Sequence, residues 1–297
     1  MTLYTHKESN IRKTWFYLTL FLILIIGLGW LISYLLDSYF ILVIAVVYSI
    51  AVSFIGYWYS DKIVLKMSHA KEIEKKDNPE LYRLVENLCI TAGLPLPKIY
   101  IINSAQPNAF AAGRDPEHAV VAVTTGLLEK LERTELEGVI AHELSHIGNR
   151  DALLQTIIVV LVGVVVIMTD LFFRISFYGG GSKDKDKGQS FIVIIALILA
   201  VLAPVLATII KLAISRKREY LADSTGALLT RYPEGLARAL EKISSDSHDL
   251  KVANNSTAHL YTASPIKGKR GKSFFSKMFS THPPAEERIK RLRGMEV

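Results

Sequence analysis

Long apolar runs dominate the hydrophobic pattern of this 297-residue chain. Each of four runs is almost free of charge and has about the twenty residues that an α-helix needs to cross a membrane. Runs of this length are rarely buried in the core of a soluble protein. The sequence therefore predicts four transmembrane helices, over Trp15 to Leu36, Tyr39 to Trp58, Leu153 to Phe173 and Phe191 to Ile214.

The segments between and after these runs mix polar and apolar residues, as soluble structure does. Lys98 to Asn103 has the composition of a strand. Gln106 to Gly113 and His118 to Thr124 flank a polar turn and predict a β-hairpin. Apolar residues recur at helical spacing in three further places. Helices are predicted over Pro79 to Ala92, Glu234 to Ser244 and Pro284 to Leu292.

The order of these segments predicts four parts. A transmembrane hairpin (1–60) precedes a first soluble segment (61–152), and a second membrane hairpin (153–214) separates that segment from a second one (215–297). The two soluble segments together are long enough for one domain with its own core. An even number of spans places both soluble segments and both termini on one side of the membrane.

The distribution of charge indicates which side this is. Half of the residues are hydrophobic, 21% are charged, and the net charge is +7. Cytoplasmic flanks of membrane helices are enriched in Lys and Arg, so the soluble segments are predicted to be cytoplasmic. The basic residues form no recognised nucleic-acid-binding module, so nucleic acid is not an expected partner. The flanking basic residues are Lys7, Arg12, Lys13, Lys62, Lys66, Lys211, Arg216, Lys217 and Arg218.

One short motif supplies candidate chemistry: His142-Glu143-Leu144-Ser145-His146. Residues four apart share one face of a helix, so both histidines can hold one zinc ion while Glu143 reaches a water molecule beside it. Chance produces such a pattern in on the order of one chain in a hundred of this length. Thr134 and Glu137 resemble a capping box that begins the motif helix, which is expected to continue into the third span.

A second pair of candidate residues follows the fourth span. Glu219 and Asp223 are four apart, so one can bind zinc while the other orients a ligand histidine. Glu219 is the predicted third ligand. The alternative is a solvated helix face on which Arg216 or Lys217 pairs with the acids.

The His-Glu-Leu-Ser-His motif, the Arg-Glu-Tyr-Leu-Ala-Asp sequence that ends at Asp223, and the four spans together resemble the HtpX-type membrane zinc metallopeptidases. That family is related to the CaaX prenyl-protein endopeptidases and to the mitochondrial Oma-type proteases. The resemblance covers nearly the whole chain. It implies a mainly α membrane protein with four transmembrane helices and a cytoplasmic α+β catalytic domain of the zincin (gluzincin) type, assembled from two chain segments.

The resemblance also implies a role for each motif residue. Glu143 would be the general base, and Asp223 would support a ligand histidine on the side that faces away from the zinc. One Zn²⁺ per chain would be bound by His142, His146 and Glu219.

The resemblance extends to the C-terminal sequence Ser-Thr-His-Pro-Pro-Ala-Glu-Glu-Arg-Ile. His282 and Arg288 match family positions near the active site. We assign them transition-state stabilisation, because a tetrahedral oxyanion needs a donor beyond the zinc. From the residues alone, the alternative is a Pro-fixed turn before a helix, with Arg288 on a surface face.

The predicted hairpin bears on substrate binding. Its Asn-Ala-Phe-Ala sequence resembles the edge strand with which such peptidases pair a substrate backbone, and Asn108 and Ala109 are the candidate residues. The alternative is an ordinary hairpin that packs on a helix.

The function that the resemblance implies is a bacterial plasma-membrane endopeptidase that degrades misfolded or damaged membrane proteins at the cytoplasmic face. The partners would be peptide or membrane-protein substrates and the lipid bilayer, and a homo-oligomer stays open. Two alternatives are a prenyl-protein (CaaX-type) endopeptidase and a catalytically silent membrane scaffold. A transporter is disfavoured because the spans lack ionisable residues near their centres.

Overall fold

Two long apolar helices form the N-terminal part of the molecule. The computed structural model describes residues 3–35, 37–161, 163–164, 216–246, 261–262 and 283–295. In it, α1 (Leu3–Leu35) packs against α2 (Tyr39–Met67). The stretches Glu8–Leu31 and Tyr39–Met67 are long and apolar enough to cross a membrane. They overlap the first two predicted spans.

The helix α2 connects the apolar part to the rest of the fold. Tyr59 departs from helical geometry (φ −125°, ψ 15°), and the helix then continues past the predicted end of the span to Met67. Val64 and Leu65 in this last part are buried. The change in direction at Tyr59 therefore separates a largely exposed apolar length from a length that packs on the soluble domain.

The predicted hairpin is confirmed, and it belongs to a four-stranded sheet. The strands β1 (Lys71–Glu72), β2 (Lys98–Ile102), β3 (Ala109–Ala112) and β4 (Val120–Thr124) lie in the order β1-β2-β4-β3. The strand β4 runs parallel to β2 and antiparallel to β3, with Ala109 opposite Val123. Since β3 ends the order, it is an edge strand of the sheet among the described residues, and Phe110 on it packs with Val64 and Leu65 of α2.

The predicted helices are also confirmed, and the structure describes further ones. The remaining helices are α3 (Pro79–Ala92), α4 (Thr125–Lys130), α5 (Arg133–Gly148), α6 (Asp151–Leu161), α7 (Arg216–Thr230), α8 (Pro233–Ser245) and α9 (Ala285–Arg293). Local signals fix both ends of α3. The Asn78 side chain accepts a hydrogen bond from the N–H of Leu81, Pro79 begins the helix, and Gly93 ends it with φ 64°.

The predicted ends of the motif helix α5 are wrong. Its capping interaction lies two residues earlier than Thr134 and Glu137, because Glu135 accepts a hydrogen bond from the N–H of Glu132 at 2.8 Å. The helix also does not continue into the next apolar run. It ends at Gly148, and Arg150 takes a left-handed conformation (φ 59°), so that α6 begins in a new direction.

The described part of the third predicted span is short. The helix α6 is apolar and buried over residues 151–161, and the rest of that span beyond residue 164 lies outside the described residues. The same holds for the whole fourth predicted span, Phe191 to Ile214. The fold therefore supports a mainly helical protein with two helices long enough to cross a membrane in the described part of the chain.

Two glycines allow helices to approach α5 closely. A Cβ at Gly138 would lie 2.7 Å from the backbone nitrogen of Leu236 on α8. A Cβ at Gly226 on α7 would lie 3.0 Å from the backbone nitrogen of His142. Both approaches place α5 at the centre of one apolar core, which it shares with α3, α8 and one face of the sheet.

Candidate metal centre

The two histidines of the motif lie on one buried face of α5. His142 and His146 are each at most 4% exposed. Their Nε2 atoms are 3.1 Å apart, so both imidazoles present this nitrogen to the same point. The i,i+4 spacing of the motif on an α-helix produces this arrangement, as predicted.

The third predicted ligand comes from a different helix. Glu219 on α7 is 1% exposed, and its carboxylate oxygens lie 3.9 Å from Nε2 of His142 and 3.7 Å from Nε2 of His146. One ligand atom from each of the three residues lies within 4.8 Å of the others. Two imidazole nitrogens and one carboxylate oxygen are a donor set that suits a catalytic zinc site. The residues present therefore fit a zinc ion.

Asp223 supports His142 from the side away from this point. Its Oδ1 atom is 3.0 Å from Nδ1 of His142. Arg288 on α9 donates to the same carboxylate through Nε at 2.9 Å and Nη2 at 2.6 Å. Burial raises the pKa of Asp223, but Arg288 and His142 outweigh burial and lower it to about 2. Asp223 therefore stays ionised, and an ionised carboxylate holds Nδ1 of His142 as a donor.

The environment of His146 favours positive charge. Burial alone would lower the pKa of His146, but the Asp151 carboxylate, 3.4 Å from Nδ1, and Glu219 raise it to about 9. The negative groups around the three ligand atoms thus attract a cation. A site that attracts positive charge agrees with a donor set that suits a metal cation.

The edge strand β3 passes beside the predicted base. The Asn108 backbone pairs with Thr124 of β4, and its Oδ1 accepts from the N–H of Ala109. The Ala109 carbonyl points away from β4, where it accepts a hydrogen bond from the N–H of Thr262 at 3.0 Å. The Thr262 hydroxyl lies 2.7 Å from Oε1 of Glu143. A segment from the second half of the chain therefore joins the edge strand to Glu143.

The structure brings together nearly all of the residues that the sequence singles out. His142, Glu143, His146, Glu219, Asp223 and Arg288 lie at this centre, and Asn108 and Ala109 lie on the edge strand that Thr262 joins to Glu143. Arg288 is buried rather than on a surface face, and it donates to Asp223 and to the Thr262 carbonyl. His282 lies outside the described residues, so its role stays a prediction, as does an oxyanion role for Arg288.

The sequence analysis assigns no role to Thr262 or to Asp151. No motif marks Thr262, because its position depends on a fold that brings it next to Glu143, 119 residues away in the chain. Asp151 did carry a signal, since it follows His146 closely. That signal could not be separated from the polar residues that mark the start of any membrane span.

Comparison with known proteins agrees with this geometry. Residues 75–296 match the model of peptidase family M48. The chain belongs to this family. Among M48 relatives, it is 48% identical to "Protease HtpX homolog" of Dictyoglomus thermophilum over 299 residues, which cover 99% of this chain and 95% of that protein. It is 47% identical to the protein of the same name from Pyrococcus furiosus over 277 residues, 92% of each chain.

A further M48 relative is covered almost completely. "Protease HtpX homolog" of Caldanaerobacter subterraneus is 41% identical over 304 residues, which cover 100% of this chain and 99% of that protein. Among solved structures, that of S. mikatae Ste24p matches with a TM-score of 0.46 and 22% identity, covering 81% of this chain and 58% of that one. The family match and the HtpX relatives establish the chain as a membrane metalloprotease of the HtpX type.

Proposed function

We propose that this metalloprotease is a zinc-dependent endopeptidase of the bacterial plasma membrane that hydrolyses peptide bonds of misfolded or damaged membrane proteins at the cytoplasmic face. The observation that supports it best is the convergence of His142, His146 and Glu219 on one buried point, with Glu143 on the same helix beside them.

Each residue of the centre contributes a different part of the proposed reaction. The zinc ion would be held by Nε2 of His142, Nε2 of His146 and the Glu219 carboxylate. When bound, zinc supplies a Lewis acid that polarises the scissile carbonyl and acidifies a water molecule. Glu143 takes the proton from the attacking water and returns it to the leaving amine. Asp223 holds Nδ1 of His142, and Arg288 keeps Asp223 in place.

The edge strand supports a role in substrate binding. In an antiparallel ladder, alternate residues direct their backbone groups to opposite sides, so Ala109 and Ala111 face outward while Asn108 and Phe110 face β4. A substrate strand would pair with Ala109 and replace Thr262 there. Asn108 contributes by accepting from the N–H of Ala109 rather than by contacting the substrate backbone.

The membrane arrangement supports action on membrane proteins. The helices α1 and α2 are long and apolar enough to span a bilayer, and α2 continues directly into the core of the soluble domain. The soluble domain that carries the metal centre is therefore packed directly against the end of a helix that can span the membrane. Lys62 and Lys66 near the end of α2 favour a cytoplasmic position for that domain.

Zinc content and proteolysis of the full-length protein in detergent test this proposal. The protein is purified with chelator, zinc is added back, and cleavage of casein and of a destabilised membrane protein is measured. Glu143→Gln should bind about one zinc ion and lower the cleavage rate by about 10²–10⁴. Glu137→Gln is the matched control, because Glu137 lies on the same helix and pairs with Arg133 at the surface.

Three outcomes would contradict the proposal or a part of it. Cleavage by Glu143→Gln at the parent rate would show that another group is the base. Full zinc retention by Glu219→Ala would show that the ligand set is wrong. If casein is cleaved but the destabilised membrane protein is not, the peptidase activity stands and the proposed substrate class is wrong.

A further inference from the structure

Each of the two ligand histidines has a carboxylate behind it. His142 has Asp223 at 3.0 Å from Nδ1, and His146 has Asp151 at 3.4 Å from Nδ1. Both contacts leave Nε2 facing the shared point. A carboxylate in this position fixes the tautomer and the orientation of a metal-binding imidazole. The two histidines are thus supported in the same way, but by carboxylates from different parts of the fold.

The break after α5 creates the second of these contacts. Residues five apart on a continuous helix point about 140° away from each other, because each residue turns the helix by about 100°. The left-handed conformation of Arg150 interrupts the helical geometry there, and Asp151, the first residue of α6, lies 3.4 Å from Nδ1 of His146. The left-handed conformation of Arg150 therefore allows Asp151 to contact Nδ1 of the predicted ligand His146.

The N-terminal helix α1 holds Asp151 in its turn. Asn10 is 3% exposed, and its Nδ2 donates to Oδ1 of Asp151 at 2.6 Å and to the Asn149 carbonyl at 2.9 Å. Arg218 lies on the other side, with Nε 3.6 Å from Oδ1 of Asp151 and Nη1 3.5 Å from Oδ1 of Asn10. An amide satisfies both neighbours, because it donates to the carboxylate and accepts from the guanidinium.

This network connects the membrane anchor to both halves of the metal centre. Asn10 lies near the start of the apolar stretch Glu8–Leu31, and Arg218 directly precedes the ligand Glu219. Asp151 is fully buried among them. A buried carboxylate that lacks a partner is costly, so the three side chains fix one another.

We propose that Asp151 is a positioning residue for His146, and that Asn10 on the N-terminal membrane helix holds Asp151 in that position. The proposal rests on the proposed zinc site. It makes the placement of α1 a determinant of zinc affinity, although α1 contributes no ligand.

The test measures zinc affinity of the full-length protein in detergent by competition with a chromophoric chelator. Asp151→Ala should weaken zinc binding by about 10- to 100-fold, and Asn10→Leu by roughly three- to tenfold. Asp151→Asn retains an oxygen that accepts from Nδ1 of His146, so it should recover most of the lost affinity. Thr14→Val is the matched control, since Thr14 is buried on α1 and its hydroxyl donates to the Asn10 backbone carbonyl.

Two further readouts separate positioning from general stability. The unfolding temperature of each metal-free variant reports folding alone. The visible spectrum of the cobalt-substituted protein reports ligand geometry, and it should change in Asp151→Ala but not in Thr14→Val. In the Asp151→Ala background, Asn10→Leu should cause no additional loss of zinc affinity, because Asn10 acts through Asp151.

Unchanged zinc affinity in Asp151→Ala would overturn the proposal, and so would an equal loss from Asn10→Leu in both backgrounds. A spectrum identical to that of the parent, with only a lower unfolding temperature, would also overturn it. Failure of the parent itself to bind zinc is a different result, which contradicts the proposed function instead.

Discussion

The Thr262 hydroxyl lies 2.7 Å from Oε1 of Glu143, and the Thr262 N–H donates to the Ala109 carbonyl at 3.0 Å. The hydroxyl has a second acceptor, the Ala109 carbonyl at 3.1 Å, but Glu143 is the closer of the two. Tyr261, next to it, is fully buried and packs edge-on against Phe110 of the edge strand. The chain's own residues thus occupy the backbone group that the proposed substrate strand would use.

We expect Thr262→Val to lower the KM for a peptide substrate by about tenfold. The substitution keeps the shape of the side chain but removes a hydrogen bond to a charged group, which contributes about 1.5–3 kcal/mol. The Tyr261–Thr262 segment then competes less well with substrate for Ala109. A fluorogenic peptide assay measures the change, with Thr262→Ser as the control that retains the hydroxyl. A fall in kcat at constant KM would instead show that the hydroxyl positions Glu143.

Gly226→Ala should weaken zinc binding. A Cβ at this position meets the backbone of His142 at 3.0 Å and of Ala141 at 3.2 Å, which is tight enough to push α7 and α5 apart by a few tenths of an ångström. Since α7 carries Glu219 and α5 carries both histidines, the three ligand atoms then separate. We expect a loss of zinc affinity of at least about tenfold, measured by chelator competition.

Gly148→Ala is the matched control for this substitution. Gly148 ends the same helix α5, and a Cβ there would lie 3.8 Å from the nearest side-chain atom of Leu94, an ordinary contact distance. Zinc affinity should stay within about twofold of the parent value. Equal losses in both variants would mean that the approach of α7 to α5 does not determine the site.

The sequence predicts those parts of this fold and site that depend on nearby residues. Asn78, Pro79 and Gly93 mark the ends of α3 because caps and breakers act within one turn. The face shared by His142 and His146 follows from helical geometry alone. These local rules hold whatever the rest of the chain does.

Other features depend on interactions that no local rule specifies. Although Gly148 ends α5, the residue in the left-handed conformation is Arg150, so that conformation is stabilised by the surrounding fold rather than by the residue's own preference. The contact between Asn10 and Asp151 joins residues 141 positions apart. The correct cap uses Glu132 and Glu135, while Thr134 and Glu137 match the familiar pattern better. Tertiary packing therefore determines the helix break, the long-range contact and the residues that cap α5.

Arg288→Leu should destabilise the protein strongly. Arg288 is 2% exposed and donates two hydrogen bonds to the equally buried Asp223. Removing one partner of a buried ion pair leaves an uncompensated charge, which costs about 3–5 kcal/mol. The unfolding temperature in detergent measures this loss. Arg291→Leu, at an exposed pair with Glu287 on the same helix, should change it far less.

Asp223 should make the stability of the protein depend on acidity below pH 4. Burial raises the pKa of Asp223, but Arg288 and His142 lower it from 3.8 to about 2. A carboxylate with a depressed pKa in the folded state contributes stability above its unfolded pKa and loses it as the pH falls through the folded value. The contribution is about 2 kcal/mol, present above pH 4 and lost progressively toward pH 2.

Denaturant unfolding of the parent and of Asp223→Asn between pH 6 and pH 2 isolates this contribution. Other carboxylates with depressed pKa, such as Glu72 and Glu234, titrate in both proteins and cancel in the difference. The difference in unfolding free energy between parent and variant should therefore be constant from pH 6 to pH 4 and shrink below pH 4. A difference that stays the same down to pH 2 would show that the Asp223 carboxylate is not held ionised by Arg288 and His142.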